Sequence, residues 1–151
     1  MGRSSLDLVL FTLTAEIEKF ILYADADDKS ISYISLDSEP FTLITKFEHP
    51  DNQRPVAVGY DRVEDRLYWS DVAQGRIISR FFNATSDKVL FRCNVQRPDG
   101  LAIDYVGRNI YWTDTGTNRI EVGRLDGTGR KLLIKDDLDE PRAIVLHLRN
   151  R

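Results

Sequence analysis

The strongest constraint on this chain is that it repeats itself. Three segments align: Ile21-Leu22-Tyr23-Ala24-Asp25, Leu67-Tyr68-Trp69-Ser70-Asp71 and Ile110-Tyr111-Trp112-Thr113-Asp114. Their tyrosines stand 45 and then 43 residues apart. A second motif runs in phase with the first. Arg97-Pro98-Asp99-Gly100-Leu101-Ala102-Ile103-Asp104 returns 43 residues later as Glu140-Pro141-Arg142-Ala143-Ile144-Val145-Leu146-His147. Arg54-Pro55-Val56-Ala57-Val58 is a looser upstream copy. Two motifs sharing one period describe a row of similar units, each too small to bury a core alone.

The units read as β-structure. Leu101 and Ile103 alternate with Ala102 and Asp104, the period of a half-buried strand. Val106 to Asn109 supply turn residues, and Ile110 to Thr113 are the β-branched and aromatic types that suit a pleated surface. Arg119 to Leu125 forms a third strand, Asp126-Gly127 a hairpin turn, and Lys131 to Ile134 a fourth strand. Four short strands in about 43 residues make one blade of a β-propeller. The expected fold is therefore all-β, with little helix and about three blades. Residues 1–19 form an N-terminal extension, and 20–151 a partial propeller with repeats near 21–66, 67–109 and 110–151.

Composition removes other classes. With 42% hydrophobic and 30% charged residues, the chain can build a core and is not disordered by composition. Its net charge is −3 and its basic residues are scattered, which disfavours nucleic acid or an anionic membrane surface. No stretch reaches the roughly 20 apolar residues that span a bilayer. Leu6 to Leu13 follows Arg3 in the order of a signal peptide. Asp7 interrupts that run and no small-x-small cleavage site follows, so it reads as a strand or the start of a fragment. The single cysteine, Cys93, has no histidine near it in sequence and reads as a small buried hydrophobe in a strand.

YWTD, YWSD and the degenerate LYAD, with the in-phase PDGLAID and PRAIVL segments, resemble the YWTD (class B) repeats of low-density lipoprotein receptor relatives over residues 20 to 148. The run DTGTNRIEVGRLDGTGRKLL followed by DLDEPRAIVL is most similar to the Wnt co-receptor branch. The resemblance implies an extracellular propeller of six blades that binds secreted protein ligands, Wnt-type or their antagonists. It implies no enzyme, no cofactor, no metal and no nucleic-acid partner, with membrane anchoring only through other parts of the parent receptor. Tyr68, Trp69, Tyr111 and Trp112 would bury aromatic area between blades, and Asp71 and Asp114 would tie backbone by hydrogen bonds.

Six such units need roughly 260 residues, so the chain is expected to be part of a propeller, a half-ring with open sheet faces. Gly59 and His147 are expected where the central repeat has Asp104. Ligand-binding candidates lie in loops before the PDG-type motif and after YWTD: Gln53, Arg54, Val72, Ala73, Gly75, Gln96, Arg97, Thr115, Gly116 and Arg142. Arg142 stands out, because arginine is favoured at binding hot spots. One relative carries acidic residues in these loops, whereas here they are mostly Gln, Arg, Ala and Gly. Asn83-Ala84-Thr85 is a glycosylation sequon near a turn. The acidic groups Asp25, Asp27, Asp28 and Asp136, Asp137, Asp139, Glu140 lack the spacing of a calcium loop. His49 and His147 are too isolated to read as an acid sensor. Two alternatives remain open: an endocytic lipoprotein-type receptor propeller that aids acid-dependent ligand release, and a six-bladed propeller hydrolase built on a central metal.

Overall fold

The computed structural model describes residues 19–37, 39–40, 42–48 and 54–148. Those residues form eleven strands and no helix. The first sheet holds β1 (Phe20–Asp25), β2 (Ser30–Ser35) and β3 (Thr42–Glu48). The second holds β4 (Pro55–Asp61), β5 (Arg66–Asp71), β6 (Arg76–Phe81) and β7 (Lys88–Phe91). The third holds β8 (Pro98–Asp104), β9 (Asn109–Asp114), β10 (Arg119–Arg124) and β11 (Lys131–Ile134). Each is an antiparallel meander in chain order. The hydrogen-bonded sheets begin one strand earlier than the tyrosine-to-tyrosine units, so each of the first two units ends in the first strand of the next sheet, β4 or β8.

The repeat extends to the backbone. Residues with positive φ come in pairs 43 apart: Asp65 and Arg108, Gly75 and Asn118, Asn94 and Asp137. Each closes the same turn in successive units. At Gly75 (φ 59°) a Cβ would stand 2.4 Å from the Val95 carbonyl oxygen. Gly75→Ala therefore combines left-handed strain with a backbone clash, and should cost about 2 kcal/mol in urea unfolding. An effect below about half of that would show that the 95–97 loop yields freely.

The Ser/Thr position of the repeat repairs an irregularity. Register slips between Pro55 and Val58 in β4, and between Pro98 and Gly100 in β8. A bulge of this kind frees an amide from the ladder. Ala57 N donates to Ser70 Oγ (3.1 Å), and Gly100 N to Thr113 Oγ1 (2.9 Å).

Period-two alternation gives β5 two apolar faces. Tyr68 points towards the third sheet with Ile77 and Phe91, meeting Leu101, Ile110 and Trp112. Leu67 and Trp69 point towards the first sheet with Ile78, meeting Ile31 and Leu22. Phe91 stacks on Trp112 with centroids 4.9 Å apart. Phe20, Tyr33, Tyr60 and Phe82 form an aromatic cluster between the first two sheets. Because the second sheet is covered on both faces, all six residues of β5 are buried. All four residues of β11 are exposed. This face-to-face stack of small meanders is the partial propeller that the repeat predicts.

Three expectations need correction. Gly59 does not match Asp104. Asp61 pairs with Arg66 as Asp104 pairs with Asn109, so Asp61 holds that place and Gly59 corresponds to Ala102. Tyr23 does not match Tyr68. Leu22 faces the second sheet as Tyr68 faces the third, so Tyr23 takes the tryptophan position and the first interval is 46 residues. Cys93 is neither buried nor in a strand. It is exposed, in the turn between β7 and β8 that Asn94 closes with φ 54°.

Candidate ligand-binding face

The face is organised by the repeat aspartates. Asp71 and Asp114 are fully buried. Asp71 Oδ1 accepts from the amides of Ala73 and Gln74 (3.1 and 3.2 Å) in the turn after β5, and from Arg54 N (3.1 Å) in the segment entering β4. Asp114 does the same one sheet on. It accepts from Gly116 N and Thr117 N (3.0 and 3.2 Å), and from Gln96 N and Arg97 N (2.8 and 2.9 Å). Each carboxylate thus pins two loops together at the same end of the sheet. Backbone bonds complete the clasp: Val72 N donates to Arg54 O and Thr115 N to Arg97 O, both at 3.0 Å.

Nine of the ten candidate residues fall in this described framework; Gln53 and His49 lie outside the described residues. Arg54, Ala73, Gln96, Arg97, Gly116 and Arg142 are exposed, and Val72 and Thr115 are half-buried. Gly75 is buried under the Val95 carbonyl, which gives it a conformational part and no contact surface. Gly116 fits against Gln96, where a Cβ would come within 2.6 Å of the glutamine Cβ. The turns of the second and third sheets at this end, 72–75 and 115–118, carry no carboxylate. The turn after β1 carries Asp27 and Asp28, whose amides bond Asp25 Oδ1 at 3.0 Å.

Arg142 lies one period beyond Asp99. Its guanidinium donates to Glu140 (2.8 Å) and Asp99 (3.3 Å), and its carbonyl accepts from the Thr113 hydroxyl. Glu140 N in turn donates to Asn118 Oδ1 (3.1 Å). Arg142 is thus exposed and held in place.

Sequence reasoning missed the charges at the opposite end. Buried Asp61 accepts from Arg108 Nη1 (2.6 Å) across the second and third sheets, and Arg108 Nη2 pairs with Glu64 (2.7 Å). Burial alone would lower the Arg108 pKa, but the hydrogen bond and charge of Asp61 hold it above its ordinary value. A cavity of about 270 Å³ there is lined by Glu64, Arg66, Arg108, Arg124, Leu125 and Asp126. Burial pushes the Tyr68 phenol up to about 12, so it stays neutral beneath these charges. Nothing local in sequence links Asp61 to a residue 47 positions away.

No group of three or more His, Cys, Asp or Glu side chains able to hold a metal occurs among the described residues. The acids of the repeat are already engaged by backbone amides. No helix among the described residues is long and apolar enough to cross a membrane. Asn83 is exposed in the turn after β6.

A family model described as low-density lipoprotein receptor repeat class B matches residues 65–105 and 108–148, more than half of the chain. Among solved structures, a chain of the nidogen/laminin complex aligns with a TM-score of 0.73 at 27% identity, over 85% of this chain and 48% of that one. Virginiamycin B lyase from Staphylococcus aureus, with quinupristin, aligns at 0.66 and 16% identity, over 86% and 43%. A streptogramin B lyase aligns at 0.64 and 19%, over 83% and 41%. At those identities the lyases share the fold alone. The chain spans about half the length of the structures it matches.

Proposed function

The chain belongs to the low-density lipoprotein receptor class B repeat family, and from that premise we propose that it is part of an extracellular propeller that binds secreted protein ligands without chemistry. The contact surface is the loop face carrying Arg54, Val72, Ala73, Gln96, Arg97, Thr115, Gly116 and Arg142. The parent is a receptor of the Wnt co-receptor branch, with Wnt-type proteins or their antagonists as ligands, and Asn83 carries a glycan.

One observation carries this reading. The repeat aspartates spend their oxygens on backbone amides, and so hold the loops while leaving the side chains of Arg54, Gln96 and Arg97 turned out at the surface. Binding surfaces on rigid scaffolds are built this way. Pre-placing Arg142 by Glu140 and Asp99 lowers the ordering cost of using it in a contact. The nidogen/laminin neighbour, itself a protein–protein complex, supports a protein ligand.

The test is affinity for a panel of Wnt-type proteins and their secreted antagonists, measured by surface plasmon resonance with the chain immobilised. Arg54→Glu/Arg97→Glu should weaken the best ligand at least about tenfold, or about 1.4 kcal/mol, with the circular dichroism spectrum unchanged. Equal binding by both forms would remove this face from the interaction. Lipoprotein capture with release at acid pH, and no Wnt-type binding, would favour the endocytic receptor.

A further inference from the structure

The chain as a whole carries a net charge of −3, yet the loop end of the second and third sheets is positive. Arg54 and the segments 71–76, 92–97 and 114–119 meet there. They contain Arg54, Arg76, Arg92, Arg97 and Arg119, against only Asp71 and Asp114. Both aspartates are fully buried. Their oxygens are taken by backbone amides and, for Asp71, by Arg76 at 3.6 Å. The sign of the exposed surface is therefore set by the arginines.

Two of these arginines occupy one position of the repeat. Arg54 and Arg97 stand one period apart, each just before the proline that opens its sheet. Each amide donates to a repeat aspartate (3.1 and 2.9 Å), and each carbonyl accepts from the turn amide of Val72 or Thr115 at 3.0 Å. The backbone is thus held on both sides, while the side chain is exposed. Among the described residues no hydrogen bond or ion pair engages the guanidinium of Arg54, Arg92 or Arg97. A guanidinium with its planar fork unused matches a carboxylate through two parallel bonds.

The positive patch has limits on both sides. The turn after β1 carries exposed Asp27 and Asp28, and the segment one period after 92–97 carries exposed Asp136, Asp137, Asp139 and Glu140. We propose, resting on the reading of this face as the ligand-binding one, that it selects a protein ligand through a short acidic stretch. Aspartate or glutamate side chains of the ligand pair with Arg54 and Arg97, one arginine from each sheet, with Arg92 adding to the field. The acidic borders repel a long, uniformly anionic chain such as a sulfated polysaccharide, and favour basic or neutral residues on either side of the stretch.

Fluorescence anisotropy of labelled peptides titrated with residues 1–151 at low ionic strength tests this. One probe peptide has a run of Asp and Glu flanked by Lys; its isostere has Asn and Gln in their place. The carboxylate peptide should bind at least about tenfold more tightly. Arg54→Gln/Arg97→Gln should abolish that preference with the circular dichroism spectrum unchanged. Arg62→Gln/Lys131→Gln removes the same formal charge elsewhere on the surface and should leave the preference intact. Equal affinity for the two peptides overturns the proposal, as does an equal loss in both double variants. Tight binding of a heparin oligosaccharide with none of the acidic peptide overturns it too. These failures concern the ligand's chemistry, whereas the loop face itself fails separately, if Arg54→Glu/Arg97→Glu leaves binding of a protein ligand unchanged.

Discussion

Asp114→Ala should lower the unfolding free energy by about 3–5 kcal/mol, measured by urea denaturation at one fixed protein concentration. The carboxylate is fully buried and accepts from four backbone amides, those of Gln96, Arg97, Gly116 and Thr117. A hydrogen bond to a charged group contributes about 1.5–3 kcal/mol net. The two turn amides regain some water when released, so the four do not simply add. Asp114→Asn keeps one good acceptor and turns an NH2 towards the remaining donors, and should fall between, near 1–2 kcal/mol. Asp25→Ala is the internal control. Asp25 bonds only the amides of Asp27 and Asp28 in its own exposed turn, and its removal should cost under about 1 kcal/mol. If Asp25→Ala and Asp114→Ala cost the same, the aspartate is a turn cap and does not tie two loops. The tie also connects stability to binding, since the loops that Asp114 holds carry Gln96, Arg97, Thr115 and Gly116.

How much of this was legible without coordinates follows from what repeats. Asp71 and Asp114 recur at a fixed interval, so their scaffold role was readable, as were the strands around them. The loop candidates were readable because any meander of this period gathers its turns at two ends. What stayed hidden does not recur. Asp61 bonds Arg108 across two sheets, but the repeat puts Asp65, not an arginine, one period before Arg108. Cys93 follows the apolar run Val89-Leu90-Phe91 and so looks like strand, yet β7 ends at Phe91 and the chain must turn to start the third sheet. Gly75 looked like part of a contact surface, because sequence shows it in a loop but not the Val95 carbonyl above it. The degenerate first unit misled in a different way. Both LYAD and YWSD contain a tyrosine, but counted back from the shared aspartate the two are one position out of step, and strand pairing has the same offset.

The same logic singles out Arg130. One period before Glu121 and Arg130 stand Ile78 and Asp87, so the repeat gives no hint of an ion pair there. In the third sheet Glu121 is 4% exposed and takes both guanidinium contacts from Arg130, at 2.7 and 2.8 Å. In the second sheet Asp87 pairs instead with Arg80, which is the same kind of strand-to-loop bridge with the charges exchanged. Arg130 also lies 5.4 Å over the Trp112 ring and donates to the carbonyls of Cys93 and Asn94, the segment joining the second sheet to the third. Arg130→Ala leaves a buried carboxylate without its cation and frees that connection. The expected loss is about 3–5 kcal/mol. Arg130→Lys keeps the charge but loses the planar fork and the stacked surface, and should lose about 1–2 kcal/mol. Glu121→Leu/Arg130→Met replaces the pair with apolar side chains of similar reach, and should return to within about 1 kcal/mol of the parent. Such recovery would mean that Arg130 is required chiefly because Glu121 is buried beside it. If the double variant is instead as unstable as Arg130→Ala, the two carbonyl contacts outweigh the ion pair, and the bridge between sheets is what Arg130 provides.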